Sequence, residues 1–438
     1  MRNFLIITLF YFFINPLNSQ IQWNSNKDKI AIPFELSNNL IIIKVNVNEI
    51  DLNMILDTGS EKNILFSFPE NDSITFHNSR KVNLKGLGFG ETLEAYISTK
   101  NTFSVNKLVD SNFEVLLVTD QNINIINKLG IPINGIVGSS FFTNYLVEIN
   151  YQTKKIFFHR NDKFLERNKY KKYSTEHVSI ISNKPYIDMQ ANINDKLVDL
   201  KLLVDSGMGD GLWVFESDSI STSKAYFKDV LGRGLGGDIF GKRSRISNLI
   251  INDFHFKNAL VSFPDSISVN RLGLIKDRNG SIGGDILKRF NWIFDYVKGK
   301  VYFKENSNFD LPFNYNMSGI EIQHKGSQVV KEIERKNFPM NQINIDEHIF
   351  DDVKLRYNYK YELKPIFEIY SIREDSPAKR AGLLEGDIII SINGRKGYSY
   401  TIQKITDLFQ SEEGKNITIE VERDGYIYKF KFKLEKIL

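Results

Sequence analysis

Two short segments carry the residues best suited to chemistry. One reads Met54-Ile55-Leu56-Asp57-Thr58-Gly59-Ser60, the other Leu202-Leu203-Val204-Asp205-Ser206-Gly207-Met208. In each, an apolar strand-like run delivers an aspartate, then a hydroxyl residue, then a glycine. Two carboxylates brought together cannot both ionise cheaply, so such a pair shares one proton and titrates as a unit. The ionised member takes a proton from a bound water, and the protonated member donates to a carbonyl oxygen. Water then attacks the carbonyl carbon without a covalent intermediate. Glycine after the hydroxyl residue lets the turn fold tightly. Thr58 and Ser206 are suited to bond across to the opposite loop and hold the aspartates in register. A lone Asp-Thr-Gly reads as a turn; two copies call for two similar scaffolds.

The rest of the chain supplies them. Gly135-Ile136-Val137-Gly138 leads to Val147-Glu148-Ile149-Asn150-Tyr151 and Lys155-Ile156-Phe157-Phe158. Gly280-Ser281-Ile282-Gly283 leads to Ile293-Phe294-Asp295-Tyr296 and Lys300-Val301-Tyr302-Phe303. Gly138 and Gly283, Asn150 and Asp295, Tyr151 and Tyr296, and Lys155 and Lys300 all stand at one common offset. Such self-similarity marks a duplicated unit. The spacing predicts a hairpin at the end of each copy, turning at Gln152-Thr153 and at Val297-Lys298-Gly299. Residues 24–160 and 173–306 therefore read as two similar β-rich lobes, with the polar, basic stretch 160–172 as a solvated connector. Each lobe also carries a glycine cluster, residues 86–90 and 232–237. Neither has the lysine and helix of a phosphate loop, so hairpin tips are expected.

Composition narrows the function classes. The chain has 438 residues, with 57 basic and 53 acidic side chains and a formal net charge of +4. That small excess is no nucleic-acid footprint. Cysteine is absent, which excludes disulfides, thiolate metal sites and a cysteine nucleophile. The six histidines, His77, His159, His177, His255, His324 and His348, show no ligand spacing, so no metal and no cofactor are expected. Trp213 and Trp292 read as core. Residues 1–19 combine Arg2, an apolar run of about eleven residues and a small residue at Ser19, the pattern of a secretory signal peptide. That run is shorter than the roughly 20 residues a membrane span needs, so the mature chain is expected to lack a transmembrane span. Export to a bacterial periplasm or to the exterior follows.

The residues Ile55-Leu56-Asp57-Thr58-Gly59-Ser60, Ile136-Val137-Gly138, Leu203-Val204-Asp205-Ser206-Gly207 and Ile282-Gly283 resemble the pepsin and retropepsin families of aspartic proteases. The resemblance spans about residues 35–306. It implies a mainly β fold of two retropepsin-like β-barrel lobes in a single-chain pseudo-dimer. It implies Asp57 and Asp205 as the catalytic pair, supported by Thr58, Gly59, Ser60, Ser206 and Gly207, and an apolar-apolar-glycine element behind each active-site loop. Ser281 departs from that element, and Met208 stands where pepsin-like enzymes carry Ser or Thr. A Ser60 hydroxyl on Asp57, with no counterpart on Asp205, would make Asp57 the better carboxylate. No residue is identified as the flap tyrosine; Tyr96 is a candidate that no motif supports.

The C-terminal stretch has another signature. Ser376-Pro377-Ala378-Lys379-Arg380-Ala381-Gly382-Leu383 precedes Glu385-Gly386-Asp387-Ile388-Ile389-Ile390-Ser391-Ile392-Asn393-Gly394. This resembles the PDZ domains of bacterial envelope proteases and implies an α+β PDZ domain over 312–438. Such a domain takes an extended peptide on a sheet edge, with loop amides holding its terminal carboxylate. Met317, Ser318, Gly319 and Ile320 are the expected loop, and residues 325–365 the expected insertion. The expected function is a secreted aspartic endopeptidase acting on polypeptide substrates, with a PDZ domain for peptide or C-terminal tail ligands. A catalytically inactive peptide-binding envelope scaffold is the alternative. A Ser206 nucleophile is disfavoured, because no His–Asp partner pattern precedes it.

Overall fold

The computed structural model describes residues 21–67, 73–84, 93–118, 132–234, 237–270, 275, 277–334 and 358–438. Residues 1–19, the expected signal peptide, and the first glycine cluster lie outside the described residues. The fold is mainly β, in sheets of nine, thirteen and six strands among the described residues.

Alternating apolar residues build two rings of strand pairing with one design. The first runs Leu40–Val47, Ile50–Leu56, Gly135–Val137, Ile64–Leu65, Leu108–Val118 and Leu93–Val105, and the last returns to pair with the first. The second runs Lys184–Ile193, Lys196–Val204, Arg278–Ile282, Leu212–Val214, Phe254–Pro264 and Gly237–Ile251, and closes in the same way. The order of parallel and antiparallel neighbours is the same in both rings. The sequence repeat is thus a repeat of topology. Each ring also ends in a flanking hairpin strand, Arg80–Leu84 in the first and Tyr226–Gly234 in the second. Of the second glycine cluster, Gly232, Arg233, Gly234 and Gly237 lie in the paired end of the latter hairpin, and residues 235 and 236 lie outside the described residues.

The two repeats meet through paired hairpins. Leu146–Asn150 pairs with Lys155–His159, and Phe290–Asp295 with Lys300–Glu305. Leu146–Asn150 and Phe290–Asp295 then pair with each other, Ile149 opposite Trp292 and Val147 opposite Phe294. Lys29–Pro33 and Ser174–Ile181 add the outer strands. Phe290–Asp295 is buried along its whole length, with apolar residues at four of its six positions. One hydrophobic cluster passes through both repeats and this junction.

Residues 160–172 do more than connect. Their charges are exposed, but Phe164 stacks on His159 at 3.6 Å and Tyr170 donates to Glu148 at 2.9 Å. His159 Nε2 lies 2.8 Å from the same carboxylate. Buried Glu148 needs these partners, so the segment is pinned to the junction rather than solvated throughout.

The third sheet holds strands Ile320–Glu334, Asn358–Ile372, Ile388–Ile392, Arg395–Lys396, Asn416–Arg423 and Tyr426–Lys433, with helix Ile402–Phe409 packed on it. The expected insertion is in part a continuation of the first two strands, which pair from Ile320–Ile372 to Glu334–Asn358. Residues 335–357 lie outside the described residues. Phe227 of the second repeat is buried in the core of this module, against Tyr315 at 5.1 Å. No described helix is long and apolar enough to cross a membrane.

Trp292 is 1% exposed at the centre of the junction, and its indole N–H donates to Leu287 O at 2.8 Å. Trp292→Ala is expected to cost about 3–5 kcal/mol of stability, read from the urea midpoint. A loss below about 1 kcal/mol would show that the junction is not part of the cooperative core.

Candidate active site

Each aspartate leaves a strand that runs parallel to an apolar partner. Ile55 and Leu56 lie beside Ile136 and Val137, and Leu203 and Val204 beside Ser281 and Ile282. The pairing continues into the loops: Asp57 N–H donates to Val137 O and Asp205 N–H to Ile282 O, each at 2.9 Å. Behind the loops, Ser139 N–H donates to Ser60 O at 2.8 Å and Gly284 N–H to Met208 O at 2.6 Å. The adjoining glycines allow this approach, since a Cβ on Gly138 would lie 2.7 Å from Lys62 O and one on Gly283 2.4 Å from Asp210 O. Ser281, the polar exception in the second element, is buried and accepts from Arg278 Nη2 at 2.7 Å.

The loops then lock together. Thr58 N–H donates to Ser206 Oγ, and Ser206 N–H donates to Thr58 Oγ1, both at 3.0 Å. Each hydroxyl donates onward to the opposite strand, Thr58 to Val204 O at 2.6 Å and Ser206 to Leu56 O at 2.7 Å. Both side chains are buried with every donor used. The two carboxyls face each other across this lock. A Cβ added at Gly59 would lie 2.6 Å from Asp205 Cγ, and one at Gly207 2.3 Å from Asp57 Cγ. Glycine is required at both positions because the opposite carboxyl fills the space.

The surroundings of the carboxyls differ. Asp57 Oδ1 accepts from the amides of Gly59 at 2.7 Å and Ser60 at 3.1 Å, and Asp205 Oδ1 from Gly207 at 3.0 Å. The Ser60 hydroxyl donates to Lys62 O, not to Asp57, so the expected hydroxyl support of Asp57 is absent. Burial pushes both carboxyls above their ordinary range, and the Asp205 charge pushes Asp57 further. The positive Arg278 opposes the rise at Asp205. The two acids titrate as one unit, and a buried cation favours charge on its neighbour.

Sequence reading missed Arg278, since only the pairing of strand Arg278–Ile282 beside Lys196–Val204 brings it near Asp205. It also missed Arg243, which pairs with Asp210 at 2.8 Å and Asp229 at 2.7 Å. Asp210 follows the second dyad loop and also accepts from Trp213 Nε1 at 2.9 Å. Met208 packs with Trp213, Leu231 and Ile239, so it is an apolar seat for the neighbouring hairpin rather than a donor to Asp205. Tyr96 lies opposite Lys81 and Leu117 and does not line the cavity above the aspartates.

That cavity, about 870 Å³, extends from the dyad to strand residues Ile320, Glu321 and Ile322 and to one face of helix Ile402–Phe409. Gln403 Oε1 on this helix accepts from Asn38 N–H at 2.6 Å, and Asn39 Nδ2 donates to Gly209 O at 2.9 Å. The turn at Asn38 and Asn39 thus joins the helix to the second dyad loop. The loop at residues 317–320 lies at the start of its strand, but its amides are engaged. Ser318 and Gly319 donate to Asn316 Oδ1 at 3.0 and 3.1 Å, and Ile320 donates to Ser318 Oγ at 3.1 Å. Met317 N–H donates to Phe409 O. The expected carboxylate-holding amides are therefore occupied from within the chain.

Because folding raises the carboxyl pKa values of the dyad, its protonated form favours the folded state. This contribution is intact below about pH 4 and is lost as pH rises through the raised folded value. Asp57→Asn is expected to be more stable than the parent at pH 7 and to gain little at pH 4, with a slope of up to about 1.4 kcal/mol per pH unit in the difference. Urea midpoints across pH 4–8 test this; a parent that gains on the variant as pH rises would contradict it.

Among the described residues, no group of three His, Asp or Glu side chains is arranged to hold a metal. No curated protein matches the chain in sequence. The sequence model of the PDZ domain family matches residues 368–423, within the six-stranded module. The chain therefore carries a PDZ domain, a peptide-binding module, whose helix Ile402–Phe409 lies within the match and borders the same cavity as the paired aspartates.

Proposed function

We propose that this protein is an aspartic-type endopeptidase, built as a retropepsin-like pseudo-dimer with a PDZ domain that binds polypeptide. The observation that carries this reading is the reciprocal lock of Thr58 and Ser206 beneath two facing carboxyls. A lock of this kind fixes the separation of two acids, which water activation requires and a passive scaffold does not. The matching cyclic strand order of the two repeats supports the pseudo-dimer. The signal-like residues 1–19 support export.

In the mechanism, Asp205 holds the negative charge and takes a proton from a water bound between the carboxyls. Asp57 donates its proton to the oxygen of the scissile carbonyl. The water oxygen bonds to the carbonyl carbon and gives a neutral tetrahedral diol. The diol then collapses: one hydroxyl proton returns to Asp57, the leaving nitrogen takes the proton from Asp205, and the C–N bond breaks. The dyad ends with its starting charge, one proton shared by two carboxyls. Arg278 acts through Asp205 by holding it ionised in a buried setting.

The test uses the chain from Gln20 onward with a fluorogenic peptide library across pH 3–8. Asp57→Asn and Asp205→Asn should each reduce cleavage by about 10²–10⁴-fold, and a statine-type transition-state mimic should inhibit the parent. Variants that cleave at the parent's rate would overturn the assignment. Arg278→Gln should move the acid limb of kcat/KM upward by on the order of one pH unit, with Arg278→Lys restoring it. An unmoved limb would remove Arg278 from the charge balance of the dyad.

A further inference from the structure

A PDZ groove that reads chain ends needs free amides for a terminal carboxylate. Here Asn316 Oδ1 occupies the amides of Ser318 and Gly319, and Ser318 Oγ occupies that of Ile320. Asn316 Nδ2 also donates to Ile320 O at 2.7 Å, so its side chain is held from both ends. The nearby Arg373 is committed too: its guanidinium donates to Asn316 O at 3.3 Å, stacks over Phe227 at 4.4 Å and lies 4.0 Å from Asp229. The groove wall adds two carboxylates, Glu321 and Asp407, which disfavour a third.

What remains suits a chain passing through. Among the described residues, strand Ile320–Glu334 ends its sheet, and strand Tyr226–Gly234 ends the sheet of the second repeat. Both line the one cavity that also holds the dyad, through Glu321 and Ile322 on one side and Val230 and Leu231 on the other. A terminal strand leaves alternate backbone donors and acceptors for another extended chain. The floor beside helix Ile402–Phe409 is apolar, from Ile322, Ile405 and Phe409.

We propose that the PDZ groove takes an internal, extended segment of a polypeptide rather than a chain end, and that the same segment continues over the two aspartates. The groove is then an extension of the cleft. Its occupant is an uncapped stretch of unfolded protein, with an apolar side chain over Ile405 and no carboxylate near Glu321 and Asp407. The naming of this segment as substrate rests on the endopeptidase reading; its binding does not.

The experiment uses the chain from Gln20 onward carrying Asp57→Asn, so that ligand is held rather than cut. Two matched fluorescent libraries of peptides of about twelve residues, roughly 40 Å when extended, differ only in a free or amidated C-terminus. Amidated binders should match or exceed their free-acid twins, within about twofold. A tenfold loss on amidation would overturn the proposal. Asn316→Ala should free the loop amides and create a preference for the free acid; an unchanged ranking would show that Asn316 does not block the loop. Thr406→Trp, at a half-buried position in the groove, should weaken binding at least tenfold, and an unchanged affinity would place the peptide elsewhere. Benzophenone placed along the best amidated peptide should label residues 402–410 from one end and residues 57–62 or 207–213 from the other. Labelling of 402–410 alone would refute the continuous path. A silent hydrolysis assay with these binding results intact would refute the endopeptidase reading and leave the internal-segment groove standing.

Discussion

Two carboxyls buried face to face are the constraint on which the rest of this structure depends. Were both ionised, Asp57 and Asp205 would repel each other and push their loops apart. Thr58 and Ser206 prevent this by exchanging backbone and hydroxyl bonds below them, so neither loop can move without breaking four buried hydrogen bonds. The lock works only if each loop leaves its strand at the same height. The parallel strand pairs with Ile136-Val137 and Ser281-Ile282 set that height, and the glycines that follow let the backbones close behind.

The two repeats must also be held in one orientation. Six strands joined at Leu146–Asn150 and Phe290–Asp295 do this with a continuous apolar core. The pairing of Ile149 with Trp292 and of Val147 with Phe294 relates equivalent positions of the two repeats, as a local two-fold axis requires. The buried Glu148, satisfied by His159 and Tyr170, adds a polar pin at the same junction. Symmetry stops at the dyad itself, where Arg278 has no positive counterpart at Ile133 of the first repeat. That departure, with the second amide that Asp57 accepts from Ser60, makes the surroundings of the two acids unequal.

The PDZ domain is joined to the second repeat through specific groups rather than through a covalent linker alone. Phe227 sits in its core, Arg373 approaches Asp229, and Tyr370 bonds Asp238. On the opposite side Gln403 accepts from Asn38. These contacts fix the groove against the cleft and make one cavity from two elements that the chain order separates.

Much of this was legible in the sequence. The duplicated Asp-hydroxyl-Gly turns, the common offset of Gly138 and Gly283 and the strand-rich pattern are local features, and local backbone chemistry determines them. The PDZ signature is likewise a set of turn glycines and a buried strand at fixed spacing. Residues 317–320 were recognisable as a loop before a strand for the same reason. What the sequence could not state was how those groups were spent. The Ser60 hydroxyl turned to Lys62 O, the loop amides turned to Asn316, and Ser281 proved to be the partner of Arg278. A hydrogen-bond donor takes whichever acceptor the folded chain brings within 3 Å, and that acceptor is chosen by neighbours in space. Residue types and spacing therefore determined two paired acids and a peptide-binding module; only the tertiary structure decided how those acids are surrounded, because folding brings the buried cation Arg278 to act on Asp205.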